Sequence, residues 1–259
     1  MRLPAVERIG FKSQLFVDHL GGLAVFTLSV LRCAFVPPFR FRRFVDEVFD
    51  AGVLSLSIVC LSGFAVGAVL GLQGYDTLVR FGAEANVGAM VGLSLVRELG
   101  PVLTALLVIG RAGSAAAAQI ATMVTTEQLD GLRMMSIDPI DFVVGPKALA
   151  LLVVMPLLAA LFILFALFGG YLVSVMLLGL HGGTYFASLE SAITFADDIV
   201  PSFSKALVFG ALVGFIATYR GYTSEPTSTG VSAATTGTVV TASVCVLLFD
   251  YVITALWGI

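Results

Sequence analysis

Long apolar stretches separated by short polar connections dominate the pattern of hydrophobic and polar positions along the chain. Residues 53–72 carry no charged side chain, and a helix of this length crosses a hydrocarbon layer of about 30 Å. Four later stretches have similar length and few charges. The sequence therefore predicts an all-α integral membrane fold with five transmembrane helices, over residues 53–72, 87–110, 148–172, 199–219 and 237–257.

An earlier apolar stretch, over residues 15–36, differs from these five. It contains Asp18, His19 and Arg32, and basic residues both precede and follow it. Basic residues at both ends place the two ends of a helix on the same side of a membrane. We therefore expect an interfacial elbow helix over residues 15–36, with a sixth spanning helix as the alternative.

Composition excludes several classes of protein. Of the 259 residues, 58% are hydrophobic and 12% are charged, and the mean hydropathy is +1.03. A soluble domain carries roughly a quarter charged residues, so a soluble globular enzyme and a disordered chain are both excluded. The net charge of −3 offers no basic surface to nucleic acid. Length and composition together predict one compact membrane domain over residues 1–259.

The polar connections differ in charge between the two sides of the predicted bundle. One side holds most of the basic residues and the other most of the acidic ones, with Arg80 as the exception. The basic residues are Arg40, Arg42, Arg43, Arg111, Arg133, Lys147 and Arg220, and the acidic residues are Asp76, Glu84, Glu190, Asp197 and Asp198. Since basic connections stay in the cytoplasm, we expect a cytoplasmic N-terminus and a C-terminus on the outer side.

A stripe of glycines runs along the first predicted transmembrane helix. Gly63, Gly67 and Gly71 recur at every fourth position. A helix face without Cβ atoms lets another helix approach to backbone contact. The partner helix belongs either to the same chain or to a second copy, and the sequence leaves both alternatives open.

Four ionisable side chains fall inside predicted transmembrane helices, namely Arg97, Glu98, Lys205 and Asp250. A charge near the bilayer centre costs about 3 kcal/mol, so such residues seldom face lipid. The rise of an α-helix places Lys205 about 8 Å, Asp250 about 10–12 Å and Glu98 about 16 Å from the outer membrane surface. We therefore expect an intramembrane charge network, which either locks the helices together or changes its pairing during a transport cycle.

The cytoplasmic connection between the second and third predicted helices has a helical pattern of its own. Thr125 or Thr126 is expected to cap a short helix there, and Pro139 to end it. Its apolar side chains are Leu129, Leu132, Met134 and Met135. Such an amphipathic helix, with Leu and Met exposed, either docks on another protein or covers the end of the bundle.

Motifs for catalysis and for metal binding are absent from the sequence. It contains no phosphate-binding loop, no nucleophile elbow and no metal-ligand spacing. Cys33, Cys60 and Cys245 lie in apolar stretches and are expected to be buried thiols, and His19 and His181 are isolated. We therefore expect no catalytic residue, no metal site and no cofactor on this chain. If transport is driven by ATP, then ATP and Mg²⁺ would bind to a partner subunit.

Five segments together carry a more specific pattern. They are GLQGY at 71–75, RELGP at 97–101, GRAGSA at 110–115, EQLDGLRMMSIDP at 127–139 and PTSTGVSAATTGTVV at 226–240. In this combination, and over nearly the whole chain, the sequence resembles the MlaE family of ABC-transporter permeases. Members of this family are the membrane subunits of MCE-type lipid transport systems.

The resemblance implies a function and a set of partners. It implies a homodimeric permease in the bacterial inner membrane, with two ATPase subunits below it and a hexameric MCE-domain protein above it. A STAS-domain protein and a periplasmic lipid carrier belong to the same system. Such a complex uses ATP to move phospholipid between the inner membrane and the periplasmic MCE pathway, which maintains the lipid asymmetry of the outer membrane.

The resemblance also implies roles for particular residues. The coupling helix that docks on the ATPase would lie at 127–139 and include Glu127, Leu129, Leu132, Met134, Met135 and Pro139. The lipid cavity between two protomers would be lined by residues sharing one helical face, Leu70, Gly74, Thr77, Leu78 and Phe81. The charges at Arg97, Glu98, Lys205 and Asp250 would take part in the transport cycle.

The sequence departs from the family pattern at three positions. Ala233 and Gly237 stand where related sequences commonly carry basic residues, and Lys147 stands where an arginine is usual. The connection before the last predicted helix is therefore less positive than the family pattern.

Two other functions remain as alternatives. An ion-coupled secondary transporter would use Glu98, Lys205 and Asp250, and it would work on a proton gradient without any ATPase. A non-transporting membrane scaffold would lose assembly, but not turnover, when Glu98 or Lys205 is neutralised.

Overall fold

The computed structural model describes residues 21–22, 25–32 and 40–257, and this part of the chain is helical without any β-strand. Five of its helical rods are long and apolar enough to cross a membrane. We call them the first to the fifth span, Phe41–Val79, Glu84–Thr125, Ile140–Leu177, Phe195–Tyr222 and Ser228–Trp257. The predicted all-α fold with five spans is confirmed.

Each predicted transmembrane helix lies within one span, and each span continues beyond the predicted bounds. The first span begins at Phe41 rather than at residue 53, because the preceding segment Phe41–Gly52 is also helical. This segment, FRRFVDEVFDAG, places its aromatic and charged residues on different sides of a helix. None of its residues is buried.

Two shorter helices connect the spans. The loop helix, Gln128–Met134, joins the second span to the third, and the helix Gly182–Ala192 lies between the third and fourth. We call the end of the bundle that holds the loop helix the basic end, and the opposite end the acidic end. His181 caps the helix Gly182–Ala192, since its Nδ1 accepts a hydrogen bond from the Gly183 amide at 3.2 Å.

The glycine stripe of the first span packs against the third span of the same chain. A Cβ atom added at Gly63 would lie 2.7 Å from the Phe162 carbonyl oxygen, and one added at Gly71 would lie 2.9 Å from that of Gly170. At Gly67 it would overlap the backbone of Ala166. Of the two alternatives that the sequence left open, the structure therefore shows packing within one chain.

The hydrophobic core centres on the third span, which packs against the first and fourth spans. Leu151, Met155 and Phe162 of the third span are almost completely buried, and Phe209 of the fourth span belongs to the same cluster. The first and fifth spans are the least buried of the five. Their apolar surfaces are therefore left for lipid or for another protein.

Part of the predicted interfacial helix over residues 15–36 is described, and the rest, with His19 and Cys33, lies outside the described residues. Residues 25–32 are helical. Phe26 and Val30 are buried in a second apolar cluster, which includes Leu129 of the loop helix. This part of the helix thus packs at the basic end of the bundle.

The other candidates for metal or thiol chemistry have ordinary surroundings. Within residues 21–22, 25–32 and 40–257, no group of His, Cys, Asp and Glu side chains is placed to hold a metal ion. Cys60 and Cys245 are free thiols. They are half-buried rather than buried as predicted, because both lie at the edge of the core on the two least buried spans.

Candidate functional site

A buried lysine joins three spans inside the bundle. Lys205 on the fourth span has 1% of its surface exposed. Its Nζ lies 2.9 Å from Glu98 Oε1 on the second span and 3.6 Å from Asp250 Oδ1 on the fifth. The structure thus brings together Glu98, Lys205 and Asp250, which we call the central charge cluster.

The ammonium group of Lys205 uses all three of its protons. Besides Glu98, it donates to the Arg97 carbonyl oxygen at 2.9 Å and to Thr254 Oγ1 at 2.8 Å. Thr254 Oγ1 in turn lies 3.1 Å from Glu98 Oε1. Sequence reasoning missed Thr254, because a hydroxyl one turn after Asp250 has no distinct pattern of its own.

The RELGP segment explains why a backbone carbonyl is available to Lys205. Arg97 and Glu98 lie in a π-helical turn, Leu95–Leu99, and Pro101 is the second residue of the helical segment that follows it. Pro101 has no N–H to donate to the Arg97 carbonyl, its acceptor in an α-helix. Lys205 supplies a donor to that carbonyl instead. A proline four residues after Arg97 therefore helps to form the cluster.

The side chain of Arg97 is not part of the central charge cluster. Its Nε lies 2.5 Å from Asp198 Oδ1 at the start of the fourth span. Asp198 Oδ2 also accepts a hydrogen bond from the Thr194 amide at 2.7 Å, so the carboxylate is held on both sides. Arg97 was expected to join the other three charges, and Asp198 to be a loop residue. Adjacent positions on a helix point in different directions, so the side chains of Arg97 and Glu98 reach different partners.

The five residues predicted to line a lipid cavity fall into two groups. Gly74 is buried, and a Cβ added there would lie 3.3 Å from Met90 Sδ on the second span. Leu70 and Leu78 are half-buried against the core. Thr77 is exposed, and Phe81, just beyond the first span, has 79% of its surface exposed. The structure thus places two of the five on the surface at the acidic end and three against the bundle.

The loop helix has an anchored side and an exposed side. Leu129 is 4% exposed in the second apolar cluster, and Leu132 is half-buried beside it. Met134 and Met135 are 88% and 64% exposed. Leu129 therefore faces the bundle, and the exposed apolar surface of the loop helix consists of the two methionines.

A polar contact fixes the loop helix to the fourth span. Arg133 donates to Asp130 Oδ1 at 2.6 Å and to Tyr222 Oη at 2.7 Å. The hydrogen bond to Tyr222 raises the pKa of the Arg133 guanidinium further above its already high ordinary value. Glu127 and Ser136, at either end of the helix, have left-handed backbone conformations with φ of 56° and 59°.

The predicted ends of the loop helix were wrong. The hydroxyls of Thr125 and Thr126 donate to carbonyl oxygens one turn back in the second span, so neither caps the loop helix. The helix ends at Met134, and Pro139 precedes the third span, where its fixed φ suits a helix start. Asp138 Oδ1 accepts from the Ile140 amide there at 2.9 Å.

Lys147 and Gly237, two of the positions expected to depart from the pattern of the similar family, lie at the basic end. Lys147 is buried, and its Nζ lies 2.7 Å from Glu47 Oε2. Arg220 donates to Thr241 Oγ1 at 3.0 Å, and its guanidinium lies 3.7 Å from where a Cβ on Gly237 would be. Arg220 of the fourth span therefore places a positive charge beside Gly237 and Thr241 of the fifth span. This part of the fifth span has no basic residue of its own.

Comparison with known proteins gives the family. The family model described as Permease MlaE matches residues 44–256. The chain belongs to the MlaE permease family. All five spans, the central charge cluster and the loop helix lie within the matched residues, apart from the first three residues of the first span and the last residue of the fifth.

Several relatives of this MlaE-family chain share its length. The intermembrane phospholipid transport system permease protein MlaE of Haemophilus influenzae is 46% identical over 217 residues, which cover 84% of this chain and 83% of the relative. A probable ABC transporter permease protein of Rickettsia bellii is 38% identical over 259 residues, which cover 99% of both chains. One from Synechocystis is 34% identical over 210 residues, covering 81% and 80%. The chain is thus a multi-pass ABC-transporter permease by family.

Proposed function

We propose that this protein is the membrane subunit of an ATP-driven phospholipid transporter. The observation that carries the proposal is the family match over residues 44–256, together with a 46% identical relative whose name includes phospholipid transport. Two copies of the chain form the permease, and two ATPase subunits bind ATP and Mg²⁺. The chain itself contributes no residue to ATP hydrolysis.

The proposed transporter sits in the bacterial inner membrane with the basic end of the bundle in the cytoplasm. The C-terminus then lies on the periplasmic side, as does the acidic end. A hexameric MCE-domain protein and a periplasmic lipid carrier receive or deliver phospholipid there, and a STAS-domain protein accompanies the ATPase. Lipid movement along this route maintains outer-membrane lipid asymmetry. The distribution of basic and acidic residues supports this orientation.

The loop helix is the proposed docking element for the ATPase, and Met134 and Met135 are its contact residues. Two exposed methionines on a helix whose other side is anchored form a small, adaptable apolar surface. An apolar helix face fits a hydrophobic groove on a partner. Leu129, Leu132 and Pro139 then hold the helix in place, while Glu127, which is exposed at its N-terminal end, stays a proposed contact residue.

The proposed lipid cavity lies at the acidic end, beside the first span of each protomer. Thr77 and Phe81 supply exposed contacts, while Leu70, Gly74 and Leu78 support that part of the span from behind. The central charge cluster and the pair of Arg97 with Asp198 link the second, fourth and fifth spans. ATP binding closes the ATPases, moves the loop helices and changes the cavity volume, so that lipid enters or leaves.

Purification from native membranes tests this proposal. The protein is tagged, extracted in a mild detergent and purified, and the sample is examined by mass spectrometry for other proteins and for lipids. The expected result is an ATPase subunit in equal amount to the permease and bound phospholipid. A lone monomer without ATPase or phospholipid, which nevertheless transports in vesicles, would favour the ion-coupled alternative and overturn the proposal.

A further inference from the structure

The helical segment Phe41–Gly52 is attached to the bundle by both apolar and polar contacts, and Val48 and Ala51 pack against the hydrophobic core. None of its residues is buried, although Gly52 packs against Val154 of the third span. Arg43 donates to the Phe142 carbonyl oxygen at 3.2 Å and lies 3.4 Å above the Phe142 ring. The segment continues directly into the first span, so whatever holds it also fixes the basic end of that span.

A buried cation makes the next contact. Lys147 of the third span donates to Glu47 Oε2 at 2.7 Å and to Gln119 Oε1 of the second span at 2.6 Å. The lysine side chain is 6% exposed and that of Glu47 is 26% exposed. One ammonium group therefore links three spans, and neither side chain is free to leave without separating opposite charges in a mostly dry environment.

A second cation supports the same segment from the second span. Arg111 donates to Ser55 Oγ at 3.0 Å and also to the Asp50 carbonyl oxygen. Ser55 is buried and donates to the Ala51 carbonyl oxygen at 2.6 Å. The contacts of Arg111 fall where the segment Phe41–Gly52 meets the membrane-spanning part of the first span, next to a cavity of about 150 Å³.

We propose that these contacts form a strap, made of Glu47, Ser55, Arg111, Gln119 and Lys147, that transmits motion of the loop helix to the first span. The loop helix joins the second span to the third, and the strap binds the first span to the ends of both. A displacement of the loop helix therefore moves the segment Phe41–Gly52 with it. This rests on the proposed function, because the displacement comes from the ATPase.

The strap is a better transmitting element than apolar packing alone at this position. The apolar contacts of Val48 and Ala51 are only partly buried, whereas a buried ion pair with a fixed hydrogen-bonding geometry resists separation. Residues that couple two sites change the coupling without contacting either ligand. Glu47 and Lys147 are accordingly positioning residues, and they contact neither the proposed cavity nor the exposed methionines.

The experiment compares lipid transfer with ATP hydrolysis in the reconstituted complex. Vesicles contain the permease with its ATPase, and both rates are measured for the wild type, Glu47→Gln and Lys147→Met. We expect lipid transferred per ATP hydrolysed to fall about tenfold in both variants, with ATPase binding retained. The matched control is Glu84→Gln, an exposed glutamate at the acidic end, which should leave this ratio unchanged. An unchanged ratio in both strap variants would overturn the proposal.

Amide hydrogen exchange tests the strap separately from transport. In the purified complex, Lys147→Met should increase exchange over Phe41–Gly52 by about tenfold or more, and leave the helix Gly182–Ala192 unchanged. Unchanged exchange over Phe41–Gly52 would show that the strap does not hold the segment. If the wild type moves no lipid with ATP, the proposed function fails, and the exchange measurement still decides whether the strap exists.

Discussion

Lys205 of the fourth span donates a hydrogen bond to Glu98 of the second span at 2.9 Å, while Asp250 of the fifth span lies 3.6 Å from the same ammonium group. One cation therefore stands between two carboxylates on two other spans. The lysine side chain is 2% exposed, whereas those of Glu98 and Asp250 are 38% and 19% exposed. Removal of the lysine should consequently lower the free energy of unfolding more than removal of one carboxylate does.

Lys205→Met is expected to destabilise the protein strongly. It leaves the Glu98 and Asp250 carboxylates facing each other without a cation, and breaking a buried charge pair costs about 3–5 kcal/mol. Glu98→Gln should cost only about 1 kcal/mol, because the amide oxygen still accepts from Lys205 and the side chain is half-exposed. The free energy of unfolding, measured by denaturant titration in mixed micelles, compares the two variants.

The double variant Lys205→Met with Asp250→Asn serves as the control for this prediction. It removes one of the two unpaired carboxylates and should recover part of the lost stability. Equal stability of Lys205→Met and the wild type would contradict the assigned role of the central charge cluster.

Glycine substitutions should separate tight packing from open positions. Gly67→Ala would bring a methyl group into the backbone of Ala166 on the third span, and we expect a loss of about 1–3 kcal/mol. Gly110→Ala is the control, since nothing lies within 4 Å of the added atom. Thermal unfolding of the two variants in the same detergent checks the difference, and similar melting temperatures would argue against the contact between the first and third spans.

The spans and the heights of the three clustered charges could be predicted from the sequence. A stretch such as residues 53–72 is apolar throughout its length, and the helical rise gave similar depths for Lys205 and Asp250. Depth along a helix depends only on residue count. Residue count therefore places Arg97, Glu98, Lys205 and Asp250 at comparable depths, and three of these four charges are in contact in the structure.

The partners of individual side chains could not be predicted in the same way. Asp198 binds Arg97, and Leu129 faces the bundle, because of how the helices cross and rotate. Residue count fixes neither the crossing angle between two helices nor the rotation of a helix about its own axis. The glycine stripe is a similar case. The spacing of Gly63, Gly67 and Gly71 predicts a close helix contact, but it does not identify the partner helix.

Alkaline pH should destabilise the protein partly through Tyr185. Burial raises the pKa of this phenol to about 12, above its ordinary value of about 10. The folded protein holds the proton more tightly than the unfolded chain does. The stability contributed by the neutral phenol is therefore complete below about pH 10 and is lost as the pH rises towards 12.

Tyr185→Phe should remove this part of the alkaline destabilisation. At neutral pH its effect should stay within about 1 kcal/mol, because the Tyr185 hydroxyl has no hydrogen-bond partner in the described part of the chain. The free energy of unfolding, measured between neutral pH and pH 11 for both proteins, provides the comparison. Equal losses in the wild type and the variant would show that Tyr185 does not contribute.

The exposed methionines should affect partner binding without affecting stability. Replacing both Met134 and Met135 by Ser changes two solvent-exposed side chains and should alter the free energy of unfolding by less than about 0.5 kcal/mol. Affinity for the ATPase should fall at least about tenfold, since few residues dominate a small interface. Gln128→Ala, an exposed change on the same helix, is the control. Unchanged ATPase affinity in the double variant would place the docking surface elsewhere.

The most direct test of the proposed function is lipid transfer in a fully defined vesicle system. Purified permease is reconstituted with and without its ATPase, and movement of a fluorescent phospholipid to acceptor protein is followed with ATP, with a non-hydrolysable analogue, or with a proton gradient alone. We predict sustained transfer only when both the ATPase and hydrolysable ATP are present. Transfer by the permease alone, driven by the proton gradient, would contradict the proposed function.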